Sequence, residues 1–190
     1  MMEMSEAAGM RRLSESERDP IRATTFGVGE MILDASKRGA NEIIIGLGGS
    51  ATNDGGFGMA RALGFRFFSD AEELTGAVSD LQSMTKIEAP VVAFVPTANS
   101  TMQPARLPLQ LHMIAAVDVK NPLLGDNGAT RVFGPQKGAS KSDLDNLERA
   151  LTRLADVVAT QFGFDYRNEE GAGAAGHDHR RLDGPGRRRG

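Results

Sequence analysis

IIIGLGGSATNDGGFGMARALGFRF, residues 43–67, passes from an uninterrupted apolar run through a glycine-rich turn into a helix-forming segment. The run NEIIIGL (41–47) is short and β-branched, the composition of a strand buried on both faces, as in parallel sheets. Gly46 to Gly58 forms the turn, and Met59–Leu63 continues as helix. Strand, glycine turn, helix is the order in which open α/β sheets build ligand sites at the carboxyl ends of their strands. Gly64–Phe68 (GFRFF) alternates like a further strand.

Working outward, Phe26–Gly39 reads as a helix with Thr25 as its N-cap, Lys37-Arg38 at the negative end of the dipole and Gly39 just past the end. Ser69 to Lys86 is polar and weakly patterned. Val91–Val95 and Leu109–Val117 are strand candidates, and PTANSTMQPARLP between them reads as loop. Ser142 can cap a long helix in which Leu144, Leu147, Leu151, Leu154, Val158 and Phe162 recur at helical spacing, with Gly163 ending it. The expected architecture is α/β, a parallel or mixed sheet with helices on both faces. Residues 1–20 form a ragged entry with a short helix near Glu3–Met10, residues 21–170 the α/β domain, and residues 171–190 a Gly/Arg-rich tail expected to be disordered.

The bulk composition closes several doors. The 190 residues carry a net charge of -3, no cysteine, no tryptophan and one tyrosine. No disulfide, thiolate zinc site or cysteine nucleophile can form. Mild acidity and scarce aromatics argue against nucleic-acid binding, the Arg-rich tail notwithstanding. No apolar run reaches the ~18 residues of a membrane helix, and the polar start is no signal peptide. The expected location is cytoplasmic, with no membrane and no nucleic-acid partner.

Within GLGGSATNDGG, Gly48, Gly49, Gly55 and Gly56 allow a backbone nest whose N–H groups face an anion, with Ser50, Thr52 and Asn53 as side-chain donors. A helix starting near Asn53–Asp54 would add its free N–H groups. Asp54 beside that anion suits a proton acceptor or a Mg²⁺ handle. The plain alternative is an ordinary tight turn with Asp54 as N-cap. The pattern lacks the Gly-Lys-Ser/Thr ending of a Walker A loop and the spacing of a dinucleotide fingerprint. Asp118 stands at the carboxyl end of a predicted strand, as either a site carboxylate or a solvated cap of the Asn121-Pro122 turn. Lys137 in FGPQKG could neutralise phosphate charge or be one more surface lysine. His177 and His179 alternate in the tail and are read as incidental rather than as a metal pair.

Four stretches together closely resemble the type-1 bacterial glycerate kinases: RATTFGVGEMILDA (22–35), residues 43–67, DVKNPLLGDNGATRVFGPQKGA (118–139) and GAGAAG (171–176). The resemblance implies transfer of the γ-phosphate of ATP, with Mg²⁺, to a hydroxyl of D-glycerate, giving a phosphoglycerate, 2-phosphoglycerate in the bacterial pathway. It implies a two-domain fold with the active site between the domains, this chain holding most of the inserted domain. The nest Gly48, Gly49, Ser50, Thr52, Asn53, Gly55 and Gly56 would then bind phosphate or the glycerate carboxylate, together with Asn121 and Gln136. Asp54 and Asp118 are candidate bases, with the choice between them open, and Lys137 would offset developing charge. The metal ligands stay unassigned.

The departures from the family carry their own expectations. Family chains are about twice as long, and their DSFK-, ADGGEGT- and GEGRLDGQT-type motifs are missing here. Lys120 stands where the family has Asp, Asn or Thr. After GAGAAG the chain turns to HDHRRLDGPGRRRG, the expected look of a frameshifted or truncated gene product. A chain with half a cleft is expected to be inactive or nearly so, because phosphoryl transfer needs parts converging from several segments. The alternative is a non-catalytic anion- or nucleotide-binding fragment, or one half of a split kinase whose other half is separately encoded. Surfaces cut from the missing domain would invite self-association.

Overall fold

The computed structural model describes residues 1–90 and 111–175. The predicted strand Val91–Val95, the loop after it, Leu109 and Gln110, and the tail from Gly176 with its two histidines lie outside the described residues.

The triple-isoleucine run is the centre of a parallel sheet. Strand β1 (Met2–Glu3), helix α1 (Met4–Ala8), helix α2 (Phe26–Lys37) and strand β2 (Glu42–Gly46) precede the glycine turn, and helix α3 (Phe57–Ala62) follows it. Strand β6 (His112–Ala116) pairs parallel with β2, Glu42 opposite His112 through to Gly46 opposite Ala116. Strand β1 pairs parallel on the other side, Glu3 opposite Gly46, so the order is β1-β2-β6. Residues 1–20 are therefore not merely a ragged entry. Two residues are too few to show a strand period, yet they complete the sheet, and Gly9 bridges Ser50 just beyond it.

Side-chain alternation sends Ile43 and Ile45 of β2 into a core with Val28 and Ile32 of α2, Met4 of α1, Leu47 and Leu63. The opposite face is open to solvent at His112, Ile114 and Ala116, with Ile114 37% exposed. The α/β class and the parallel sheet stand.

Strand β3 (Arg66–Ser69) belongs elsewhere than expected. It pairs antiparallel with β4 (Glu72–Glu73) and β5 (Lys86–Glu88) in a second sheet. The polar stretch 69–86 hides this layer. Its buried residues Leu74, Val78, Leu81, Met84 and Ile87 fall on a turn, a 3₁₀ helix (Val78–Ser83) and a strand, so no single period survives. Helix α5 (Lys141–Phe162) lays Leu147, Leu151 and Leu154 across these residues and Phe67, and Phe57 meets Phe67 edge-on at 4.8 Å. Ser140, not Ser142, caps α5. Its hydroxyl accepts from the Asp143 amide while the Asp143 carboxylate accepts from the Ser140 amide. The helix ends at Gly163 as expected, but Phe162 is 40% exposed.

Short helix α4 (Ala129–Phe133) packs against α5 and against short helix α6 (Ala172–Ala175), whose Ala172 joins the second core. The start of the predicted tail is thus packed: Ala172 is fully buried and the Gly173 amide donates to the Asn121 carbonyl. Glycine and alanine fill a gap too narrow for larger side chains, which a composition argument about hydrophobic content overlooks.

Candidate functional site

The turn between β2 and α3 is where the two cores meet. Helix α3 starts at Phe57, past the Asn53–Asp54 start that the sequence suggests, because Gly55 and Gly56 hold left-handed backbone (φ 59° and 80°). Gly55 also lies so close to α5 that a Cβ would sit 2.7 Å from Leu151 Cδ2.

The donors at this helix start are already occupied by the protein's own anion. Asp54 is 2% exposed, and its carboxylate accepts from the amides of Thr25, Gly56 and Gly58 at 2.9–3.1 Å and from the Thr25 hydroxyl at 2.9 Å. Thr25 does not cap α2 with its side chain; its hydroxyl turns inward and accepts from the Met59 amide at 2.8 Å. The N-cap position of α3 falls on Gly56, so Asp54 is not the N-cap itself; its carboxylate reaches the Gly56 and Gly58 amides from upstream of the helix.

The other polar side chains of the turn also face inward. The hydroxyls of Ser50 and Thr52 lie 2.6 Å apart, and the Thr52 amide donates to Ser50 Oγ. Asn53 Nδ2 donates to the hydroxyl of Thr130, which is fully buried on α4. Lys137 lies in a 3₁₀ turn (Pro135–Lys137), and its ammonium donates to the Thr52 carbonyl at 2.6 Å. Burial lowers the Lys137 pKa to about 8, against the opposing pull of the Asp54 charge. These groups surround a cavity of about 30 Å³, room for one or two waters and too small for a nucleotide.

Only backbone is left on the outer side of the turn. Gly48 and Gly49 are exposed at the carboxyl end of β2, with nothing within 4 Å of the position a Gly48 Cβ would take. Asp118, exposed, stands two residues past Ala116 on the neighbouring strand, as Gly48 stands two past the paired Gly46. Asn121 Nδ2 donates to the Asn127 carbonyl, shaping the 121–127 turn. The Gln136 side chain is exposed, and its carbonyl accepts from Arg18. Of the sequence-derived set, then, Ser50, Thr52, Asn53, Asp54 and Lys137 gather in one buried layer, while Gly48, Gly49 and Asp118 form a separate outer edge. Thr25 and Thr130 were missed as members of the layer. Thr25 was visible only as a helix-start residue, and no local pattern marks Thr130.

Among the described residues, no group of three or more His, Asp and Glu side chains could hold a metal ion, and no helix is long and apolar enough to cross a membrane. A larger groove of about 370 Å³ on the outer side of α5 is lined by Arg131, Asp145, Glu148, Arg149, Arg153 and Asp156. Its charges engage protein groups, as in Arg131–Asp145 at 2.8 Å and Arg149 with Asn146.

A family model described as the glycerate kinase family matches residues 1–177. The chain belongs to the glycerate kinase family. It is 40% identical over 176 residues to the glycerate 2-kinase of Escherichia coli strain K12, covering 92% of this chain and 43% of that protein. It is likewise 40% identical over 177 residues to the glycerate kinase of Bacillus subtilis strain 168, covering 93% and 43%. The crystal structure of a glycerate kinase 2 from Salmonella typhimurium LT2 superposes with a TM-score of 0.79 at 38% identity, covering 92% of this chain and 44% of that one. The chain thus spans less than half the length of the glycerate kinases it matches.

Proposed function

We propose that this chain supplies the glycine-turn side of a kinase site that transfers the γ-phosphoryl group of ATP to a hydroxyl of D-glycerate, with 2-phosphoglycerate as product. The observation that carries the reading is the outer edge of the parallel sheet, where exposed Gly48–Gly49 backbone and the exposed Asp118 carboxylate stand at adjacent strand ends. Membership of the glycerate kinase family supplies the substrate class.

Asp118 is the preferred base. Its carboxylate is exposed, whereas that of Asp54 is committed to four protein donors. As the glycerate oxygen bonds to the γ-phosphorus and the bond to the ADP oxygen breaks, the hydroxyl proton passes to Asp118. The Gly48–Gly49 amides stabilise phosphate or carboxylate oxygens. Lys137 acts from below, holding the turn through the Thr52 carbonyl. Mg²⁺ bound with the nucleotide would neutralise phosphate charge, and a lone carboxylate such as Asp118 together with substrate phosphates is a donor set that would suit it.

The test is a coupled ADP-release assay with ATP, Mg²⁺ and D-glycerate on the 190-residue chain, with ³¹P NMR to locate the phosphate on the product. Low turnover is expected from this chain alone, and Asp118→Asn is expected to abolish it without loss of stability. Undiminished turnover in Asp118→Asn would remove that residue from the chemistry. The chain's 43% span of the Escherichia coli relative favours a second reading, a binding fragment or one half of a split kinase. On the split reading, adding a polypeptide that matches the remainder of that relative raises turnover; on the fragment reading it does not.

A further inference from the structure

We propose that Thr25 is a positioning residue for the glycine turn: its amide and hydroxyl hold the Asp54 carboxylate in place, and Asp54 in turn sets the backbone from which Gly48 and Gly49 face solvent. The ligand half of this proposal rests on the phosphate-binding reading of that turn.

Thr25 is 2% exposed and lies 29 residues from Asp54 in sequence. Both of its donors go to Asp54, and its hydroxyl oxygen accepts from the Met59 amide in the first turn of α3. One side chain thus links the start of α2, the turn and the start of α3. On the far side, the turn is tied through Asn53 to Thr130 and through the Thr52 carbonyl to Lys137. Thr25 is the matching anchor on the α2 side. The exposed Gly48–Gly49 segment is bracketed by the Leu47 amide on the Ala116 carbonyl, the Met10 amide on the Gly49 carbonyl and the Ala51 amide on the Ala8 carbonyl, and it runs directly into the polar layer at Ser50. Valine keeps the β-branched shape of threonine and the backbone amide's bond to Asp54, but its side chain can neither donate to Asp54 nor accept from Met59. Serine retains both bonds.

The experiment compares the 190-residue wild type, Thr25→Val and Thr25→Ser by NMR. Amide exchange at Gly56 and Gly58, relative to Ile43–Ile45, reports the turn. Titration with inorganic phosphate, followed at the Gly48 and Gly49 amides, reports its outer face. Thr25→Val is expected to speed Gly56 and Gly58 exchange by about tenfold over the strand amides and to weaken phosphate binding by about the same factor. Thr25→Ser is expected to stay within about threefold of wild type on both. The proposal is overturned if the valine variant leaves those two amides unchanged or speeds all amides equally. It is also overturned if the valine variant fails to fold while the serine variant is intact, since that assigns Thr25 to the core. A wild type that binds no phosphate defeats the phosphate-site reading instead, and the exchange ratios then decide the positioning role by themselves.

Discussion

Asp54 is the buried carboxylate and Lys137 the half-buried ammonium of the polar layer, and each constrains the other. Replacing Asp54 by Ala strands the Thr25, Gly56 and Gly58 donors in the interior, a loss of about 3–5 kcal/mol. Urea denaturation measures it, and a loss below about 1 kcal/mol would show that the donors find other partners. Lys137 gives a pH signature of opposite sense to a surface ion pair. Up to pH about 8 the folded and unfolded chains both keep its proton; between about 8 and the ordinary 10.5 only the unfolded chain does. Because the unfolded state then binds more protons, stability rises with pH across that window, by up to about 3 kcal/mol. The difference between wild type and Lys137→Met in urea midpoints at pH 7.5 and 10 isolates this rise; an unchanged difference would mean the ammonium is solvated.

The elements show where local signals hold and where packing overrides them. Helix α5 was legible from its leucine stripe, but its cap was not, because two serines two residues apart both fit a cap pattern. Only the position of the Asp143 carboxylate selects Ser140. Ser140→Ala is expected to cost about 1 kcal/mol and Ser142→Ala much less, read as shifts in thermal midpoint. Equal shifts would return the cap to Ser142. At the α2–α3 crossing, a Cβ on Gly29 would lie 2.6 Å from both Ala62 Cβ and the Met59 carbonyl. Gly29→Ala should therefore destabilise by about 1–3 kcal/mol, although alanine is the better helix former. A stabilised Gly29→Ala variant would show that the two helices can move apart at little cost. The antiparallel sheet was read only as the strand Gly64–Phe68, since β4 and β5 are too short and too charged to signal strand.

At the scale of the molecule, two cores are joined into one body. The cluster around Ile32, Ile43 and Ile45 and the cluster around Leu147, Leu151 and Phe67 are joined through α3, whose Phe57 enters one while Leu63, just past its end, enters the other. Phe65 packs against both. The chain is therefore expected to unfold in one transition, with the fluorescence of Tyr166, the single tyrosine, following far-UV circular dichroism. Two separated transitions would show the clusters to be independent. The open face of the parallel sheet, with Ile114 on it, makes concentration-dependent self-association the companion expectation; a monomer by light scattering at every concentration would remove it.

The sequence by itself determined what depends on neighbours a few residues away: the β2 strand, the glycine turn, the spans of α2 and α5, the α/β class and, through four motif stretches, the family. It also brought the polar residues of the turn into view. Which way they face was decided by the tertiary structure alone. Asp54 turns inward because Thr25, 29 residues away, offers it an amide and a hydroxyl, and Lys137 reaches Thr52 across 85 residues. A buried charge must find its donors wherever the fold brings them, and that constraint leaves no local trace in the sequence.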